Sequence, residues 1–249
     1  MPSRLKFVVA YDGRPFAGWQ SQANGNTIQD ILEQAFANVS GETIRVHGSG
    51  RTDAGVHSLA QVAHVDVPSR SLPPETWTAA LNASLPSAIR VLRCAYAPAA
   101  FHARFTTRGK LYRYRIWNDR YLSPFEEGRA WHVTGLLDLA TFESEAQQYL
   151  GKHDFAGFAA NRGKPTLDTV RTITSVRVRK SGKCITVEFA GDGFLYKMVR
   201  LMVGALVSVA RGKSPVGEIR ERLQRPHAFI KHARPAAPAC GLYLVRVLY

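Results

Sequence analysis

Cysteine is scarce: Cys94, Cys184 and Cys240 lie far apart in 249 residues, and no C-x-x-C pair occurs. That argues against a zinc ribbon, a redox dithiol and a disulfide framework. An odd count suits a reducing compartment, and a cytoplasmic chain is expected. Long hydrophobic runs are missing too. The most apolar stretch, Leu201 to Ala210, is too short to cross a bilayer, and Met1 to Lys6 leads into a strand pattern without the core of a secretory leader. No membrane contact is therefore expected. The eight histidines make no H-x-x-x-H or H-x-E pattern, and no serine sits in a G-x-S-x-G frame, so neither a metal site nor a serine nucleophile is indicated. Acidic residues are also sparse. Nineteen Asp and Glu stand against 33 Lys and Arg, giving a net charge of +14 and a pI near 10.1. That balance points to a polyanionic partner, nucleic acid before an anionic membrane surface.

What is present is an ordinary soluble composition, 45% hydrophobic and 21% charged, in a chain long enough for one large domain or two small ones. Leu5, Phe7 and Val9 alternate as a strand that ends at the turn Asp12 to Pro15. Thr27, with Asp30 three residues on, opens a helix whose apolar stripe is Ile28, Ile31, Leu32, Ala35 and Phe36, closed by Gly41. Short strands are expected over 43–47 and 59–67, a helix from Pro73 to about Ser84, and a strand over 89–97. After a linker at 98–107 the pattern starts again. Strand 110–117 has Tyr112, Tyr114 and Ile116 on one face. Asp138 caps a helix to Leu150, and 169–180 with 184–190 form a hairpin around Ser181-Gly182. A long helix is expected over 194–211, a shorter one over 215–223, and a last strand over 242–248. Each half reads strand, helix, strand, strand, helix, strand. The expected fold is α+β: two ferredoxin-like halves, 1–105 and 106–249, forming a broad antiparallel sheet with helices on one face and the active cleft at the seam.

The densest chemistry lies at Gly48-Ser49-Gly50-Arg51-Thr52-Asp53-Ala54-Gly55-Val56-His57-Ser58. Three glycines permit a tight loop around one guanidinium, one hydroxyl and one carboxylate. One reading has Asp53 serve only its own turn. A phosphate cradle fails, because no Lys-Ser or Lys-Thr follows the last glycine. A catalytic carboxylate is the third reading. Far downstream, Arg200 falls in a stretch apolar on nearly every side. Its guanidinium must either meet an anion or reach solvent along its own stem. Tyr112 is a strand aromatic that suits packing or base stacking. Leu242 is, on sequence alone, a strand residue. The basic run from Arg104 to Arg115, including Lys110 and Arg113, suits phosphate contacts.

The loop resembles the signature of the tRNA pseudouridine synthase A family. So do Tyr11-Asp12-Gly13 with Gly18-Trp19-Gln20, Phe101 to Arg104, Lys110-x-Tyr112, Met198-Val199-Arg200 and the closing segment Ala236 to Leu244. The resemblance covers most of the chain. Its minor departures are Ser49 and Ser58, where the family often has alanine, and Gly191-Asp192-Gly193, where it has a more Asn-rich turn. It implies that Asp53 is the catalytic carboxylate, that Arg200 pairs with it, and that Tyr112 lies against the target base. It makes Leu242 a pocket wall, and places Arg51, Lys110 and Arg113 with the substrate. It further implies isomerisation of uridine to pseudouridine in the anticodon stem-loop of tRNA, at positions 38, 39 and 40, by a homodimer. No cofactor and no metal are implied. Two rivals are a non-catalytic RNA-binding module, for which a carboxylate facing phosphates would be a liability, and an N-glycosidase that cleaves without rejoining.

Overall fold

The structure, a computed structural model, describes residues 3–23, 25–68, 72–160, 168–232 and 235–249. In chain order the elements are β1 (Ser3–Tyr11), α1 (Ile28–Ser40), β2 (His47–Gly48), β3 (His57–Val67), α2 (Pro74–Ser84) and β4 (Ile89–Tyr96). They continue with β5 (Gly109–Asn118), β6 (Trp131–Val133), α3 (Leu139–Gln147), β7 (Gly151–Asp154), β8 (Val170–Ser181), β9 (Cys184–Gly191), α4 (Met198–Ala210), α5 (Glu218–Gln224) and β10 (Leu242–Leu248). Two compact units result, Met1–Arg108 with Tyr243–Tyr249, and Gly109–Leu242. The closing strand, expected in the second half, therefore groups almost wholly with the first unit.

In the first unit β1 is the centre, antiparallel to both β3 and β4, and β2 adds antiparallel to β3. That is the strand order of a split βαβ unit. Register follows the alternation of the sequence, with Leu5 opposite Val65 and Phe7 opposite Ala63. These side chains, with Val9, Val67, Ile89 and Val91, form one face of the core. Leu32 and Phe36 of α1 and Trp77 and Leu81 of α2 pack into the same cluster, so both helices lie on that face. The α1 start is as expected: Thr27 Oγ1 accepts the Asp30 amide at 3.2 Å, and Gly41 at φ 74° closes the helix onto Ala37. The strand expected over 43–47 shrinks to His47–Gly48. β10 joins β3 in parallel, pairing Tyr243 with His57 and Leu244 with Ser58, which departs from an all-antiparallel arrangement.

The segment 98–107 is not a slack linker. Arg4 donates to the carbonyls of Ala99 (2.5 Å) and Phe101 (2.8 Å), Ala103 N–H to His64, and Tyr249 to the Ala103 carbonyl at 2.6 Å. It is thus tied down against the β1–β3 face opposite the helices. Its lack of apolar periodicity concealed these long-range anchors.

The second unit is built on β5, β9, β8 and β7 in that order, all antiparallel, with β6 parallel to β5. On β5, Tyr112, Tyr114 and Ile116 are buried while Arg113 and Arg115 point the other way. Asp138 caps α3 as expected, but that helix stops at Gln147, and β6 and β7 are short strands that local pattern did not reveal. The largest difference concerns α4. It begins at Met198 rather than Phe194, because Lys197 takes a left-handed backbone (φ 58°). Tyr196 and Lys197 form the turn before it, closed by Met198 N–H to the Leu195 carbonyl. Apolar periodicity cannot see such a reversal.

Candidate active site

Asp53 sits in a loop gripped from behind by the start of the chain. At the end of β1 the Tyr11 phenol shares a buried 2.8 Å hydrogen bond with the Thr52 hydroxyl. Trp19 N–H donates to the Thr52 carbonyl at 3.0 Å, and Val56 N–H closes the turn on the Asp53 carbonyl at 3.1 Å. On the other flank, Ser49 N–H donates to Val62, the Ser49 hydroxyl to Gln61 Oε1 at 2.5 Å, and Gln61 Nε2 to the Gly50 carbonyl at 2.9 Å. Arg51 Nε donates to Gln20 Oε1 at 2.9 Å, and Gln20 in turn to Gln29 of α1. Thr52 and Ser49 are buried, Asp53 is half-buried and Arg51 is exposed. The backbone around the carboxylate is therefore fixed on several sides, without the residue being fully buried. A rigid carboxylate of this kind suits charge stabilisation or capture of an electrophilic carbon.

The glycines of the motif serve different needs. Gly55 has φ 77°, a backbone that residues with a Cβ avoid. Gly48 lets the Trp19 ring lie against the strand, since a Cβ there would fall 2.5 Å from that ring. His57 closes the loop. Its Nδ1 accepts Gly13 N–H at 3.2 Å and its ring stacks on Tyr243 at 4.6 Å. Asp12 lies 3.3 Å from the same nitrogen and is bridged by Arg14. Burial would raise the Asp12 carboxyl, but hydrogen bonds from the Arg14 side chain and amide outweigh it and hold the carboxyl below the ordinary range.

The other expected residues belong to the second unit. Tyr112 is buried on β5, with the Phe194 ring edge-on at 5.0 Å. Arg200 stands in the first turn of α4, half-buried rather than enclosed. Its Nε donates to the Ala237 carbonyl at 2.7 Å, and Ala237 N–H returns a bond to the Arg200 carbonyl at 3.0 Å. The segment so anchored continues to Leu242, which is buried. Tyr114 holds the same segment, donating from its phenol to the Pro238 carbonyl at 2.6 Å, and burial pushes that phenol's pKa up. A Cβ on Gly241 would lie 2.6 Å from the Tyr114 ring, so glycine alone lets this contact form. Arg113 is already engaged, with Glu188 at 2.7 Å across the β5–β9 pair, and Arg115 with Glu126 at 2.7 Å. Lys110, at the start of β5, is half-buried.

Sequence reasoning passed over Tyr11, Gly13, Gly18 and Gln61 as supports of the loop, and Tyr114 as the anchor of the closing segment. The signal for Tyr11, Gly13 and Gly18 was present in the motifs Tyr11-Asp12-Gly13 and Gly18-Trp19-Gln20, while Gln61 had no such signal.

A family model described as tRNA pseudouridine synthase matches residues 7–106 and 146–249. Among curated proteins, the chain is 46% identical over 253 residues to the tRNA pseudouridine synthase A of Akkermansia muciniphila, covering 99% of this chain and 95% of that one. It is 42% identical over 247 residues to the protein of the same name from Methylacidiphilum infernorum, with 98% and 94% covered. The Lactobacillus helveticus protein of that name is 40% identical over 252 residues, with 100% and 95% covered.

Proposed function

The chain belongs to the tRNA pseudouridine synthase family, and on that premise we propose that it isomerises uridine to pseudouridine at positions 38, 39 and 40 of the tRNA anticodon stem-loop. The observation that carries the reading is the Asp53 loop: a carboxylate on a backbone fixed by Tyr11, Trp19, Ser49 and Gln61, within a motif otherwise without acids.

The reaction breaks the N1–C1′ bond, turns the uracil, and joins C5 to C1′. The C5 proton goes to water and N1 gains one, so nothing is oxidised or added. Positive character develops at C1′ as the bond breaks, and a fixed anion stabilises or captures it. Asp53 takes that role. The target uridine leaves its stack to reach it. Tyr112 lies against the extruded base, Arg200 pairs with Asp53, and Leu242 forms an apolar wall. Arg51, with Lys110 and Arg113, contacts the neighbouring phosphates. Arg113 shares its guanidinium with Glu188, so it contributes less positive charge than its sequence suggests. The net charge of +14 supports a polyanionic substrate. The enzyme acts as a homodimer in the cytoplasm. Among the described residues no helix is long and apolar enough to cross a membrane.

The test is tritium release from tRNA transcripts labelled at C5 of uridine, comparing the native chain with Asp53→Ala. Release by the native chain alone, mapped to the anticodon stem-loop, with tRNA binding kept in the variant, supports the reading. Binding without release would favour an RNA-binding module, and free uracil would mark a glycosidase.

A further inference from the structure

The segment 98–107 carries aromatic and basic side chains that the isomerisation does not use. Phe105 is 76% exposed, yet it is not a loose side chain. Its inner face stacks on the His102 ring at 4.3 Å and 30°. His102 is itself held, its Nδ1 accepting the amides of Arg104 (3.1 Å) and Phe105 (3.3 Å). The His102 edge meets His64 at 4.7 Å. His64 is buried, takes the Ala103 amide on Nδ1 at 3.2 Å, and stacks on His47 at 5.0 Å and 21°. Four rings are thus packed in series from β2 to the largely exposed ring of Phe105.

The side chains named around this series carry more positive than negative charge. The Arg104 guanidinium lies over the Phe105 ring, 5.7 Å from its centroid, where an incoming base would slide between or beside them, and Lys6 lies over the neighbouring Phe101 and Tyr249 rings at 5.2 and 5.9 Å. Asp66, the acid that shares this strand face with His64, is held by Arg4 through two 2.8 Å bonds. A flat exposed ring of fixed orientation, with cations beside it and the nearby carboxylate neutralised, is complementary to a nucleobase and its phosphates. A base inside a duplex has both faces covered by its neighbours. The ring therefore fits an unpaired base.

We propose that Phe105, backed by His102 and flanked by Arg104, stacks an unpaired base of the tRNA substrate at a point separate from the one that takes the target uridine. The proposal rests on the reading of the chain as a tRNA-modifying enzyme. The stack would hold the RNA without taking part in bond breaking, so its loss raises Kd and KM and leaves the single-turnover rate at saturating enzyme unchanged.

Equilibrium binding of a tRNA transcript at fixed salt tests it, using the full chain and its Phe105→Ala, Phe105→Leu and Phe105→Trp variants. Because the side chain is exposed, all three should fold. Alanine and leucine should weaken binding between about fivefold and a hundredfold, the span of a lost base–aromatic stack. Tryptophan should restore affinity, with its emission quenched by tRNA. Native affinity in Phe105→Ala would overturn the proposal. So would native affinity in Phe105→Leu, which would reduce the site to apolar contact. A change in self-association on sedimentation with unchanged tRNA affinity would also overturn it, and would assign the ring to a contact between two copies. Failure of the native chain to release tritium while Phe105→Ala loses tRNA affinity would reject the reaction and keep the stacking site.

Discussion

Tyr11 and Thr52 are joined by a buried hydrogen bond of 2.8 Å that links the last residue of β1 to the residue before Asp53. The bond crosses 41 residues of sequence and couples the most central strand of the first unit to the proposed catalytic loop. Replacing Tyr11 by Phe keeps the ring and deletes the bond. The expected cost is about 1 kcal/mol of stability, measured by urea unfolding. The expected kinetic effect is a fall of about tenfold in kcat with KM unchanged, because the loop, not the RNA contact, is loosened. A change confined to KM would mean that Tyr11 serves substrate binding instead.

Gly18 has φ 101°, and a Cβ there would stand 2.8 Å from the Thr52 carbonyl and 3.1 Å from the Ala54 amide. Gly18→Ala therefore meets both backbone strain and a clash with the loop. A loss of roughly 1–3 kcal/mol is expected, together with loss of activity out of proportion to the unfolded fraction. Full activity in the folded variant would show that the loop shifts without consequence.

The proposed pairing of Asp53 with Arg200 is open to a double-mutant cycle on stability. Asp53→Asn, Arg200→Gln and the double variant should show a coupling of about 0.5–3 kcal/mol, the range for charges in direct contact. Additive effects would separate the two residues. Arg200→Gln carries a further cost, because Arg200 Nε also satisfies the Ala237 carbonyl. The Asp53→Asn arm is therefore the cleaner measure of the pair.

His64 supplies a pH signature. Burial first, then the charges of His102, His47 and Arg4, push its pKa down to about 4 from 6.5, with Asp66 opposing weakly. The folded state thus stays unprotonated where the unfolded chain takes up a proton. Stability is full above about pH 6.5, declines as pH falls towards 4, and levels off for this group below that, a total of roughly 3 kcal/mol. His102, lowered by burial and by His47, adds in the same direction. Asp66, whose carboxyl Arg4 holds below its usual range, loses its contribution only at still lower pH. His64→Asn keeps an acceptor for the Ala103 amide and should flatten the curve between pH 6.5 and 4. An unchanged slope would assign the acid sensitivity to other groups.

The local signals in the chain were sufficient for much of the architecture. Thr27 with Asp30 and Gly41 mark both ends of α1, alternation on β1 and β5 gives their buried faces, and Ser181-Gly182 marks the β8–β9 turn, with Gly182 at φ 57°. These features depend on residues a few positions apart, which is what periodicity and capping report. The loop at Asp53 was legible for a different reason. Its residue types are too specialised to be packing, and its resemblance to a known family gave the carboxylate a role.

Tertiary structure decided what depends on distant partners. Nothing near Lys197 announces a left-handed residue, so the apolar run places the start of α4 four residues too early. The segment 98–107 reads as a linker until Arg4, His64 and Tyr249 tie it to the first unit. β10 follows the second unit in sequence, but its parallel register with β3 groups it with the first. The same holds for function. Sequence by itself singled out the Asp53 loop, through its resemblance to a known family, and the polyanionic partner, through net charge. Only the folded chain brought Tyr11, Trp19 and Gln61 around the loop, gave Arg113 to Glu188, and set Phe105 upon His102, because each is a contact between residues that composition and spacing leave unrelated.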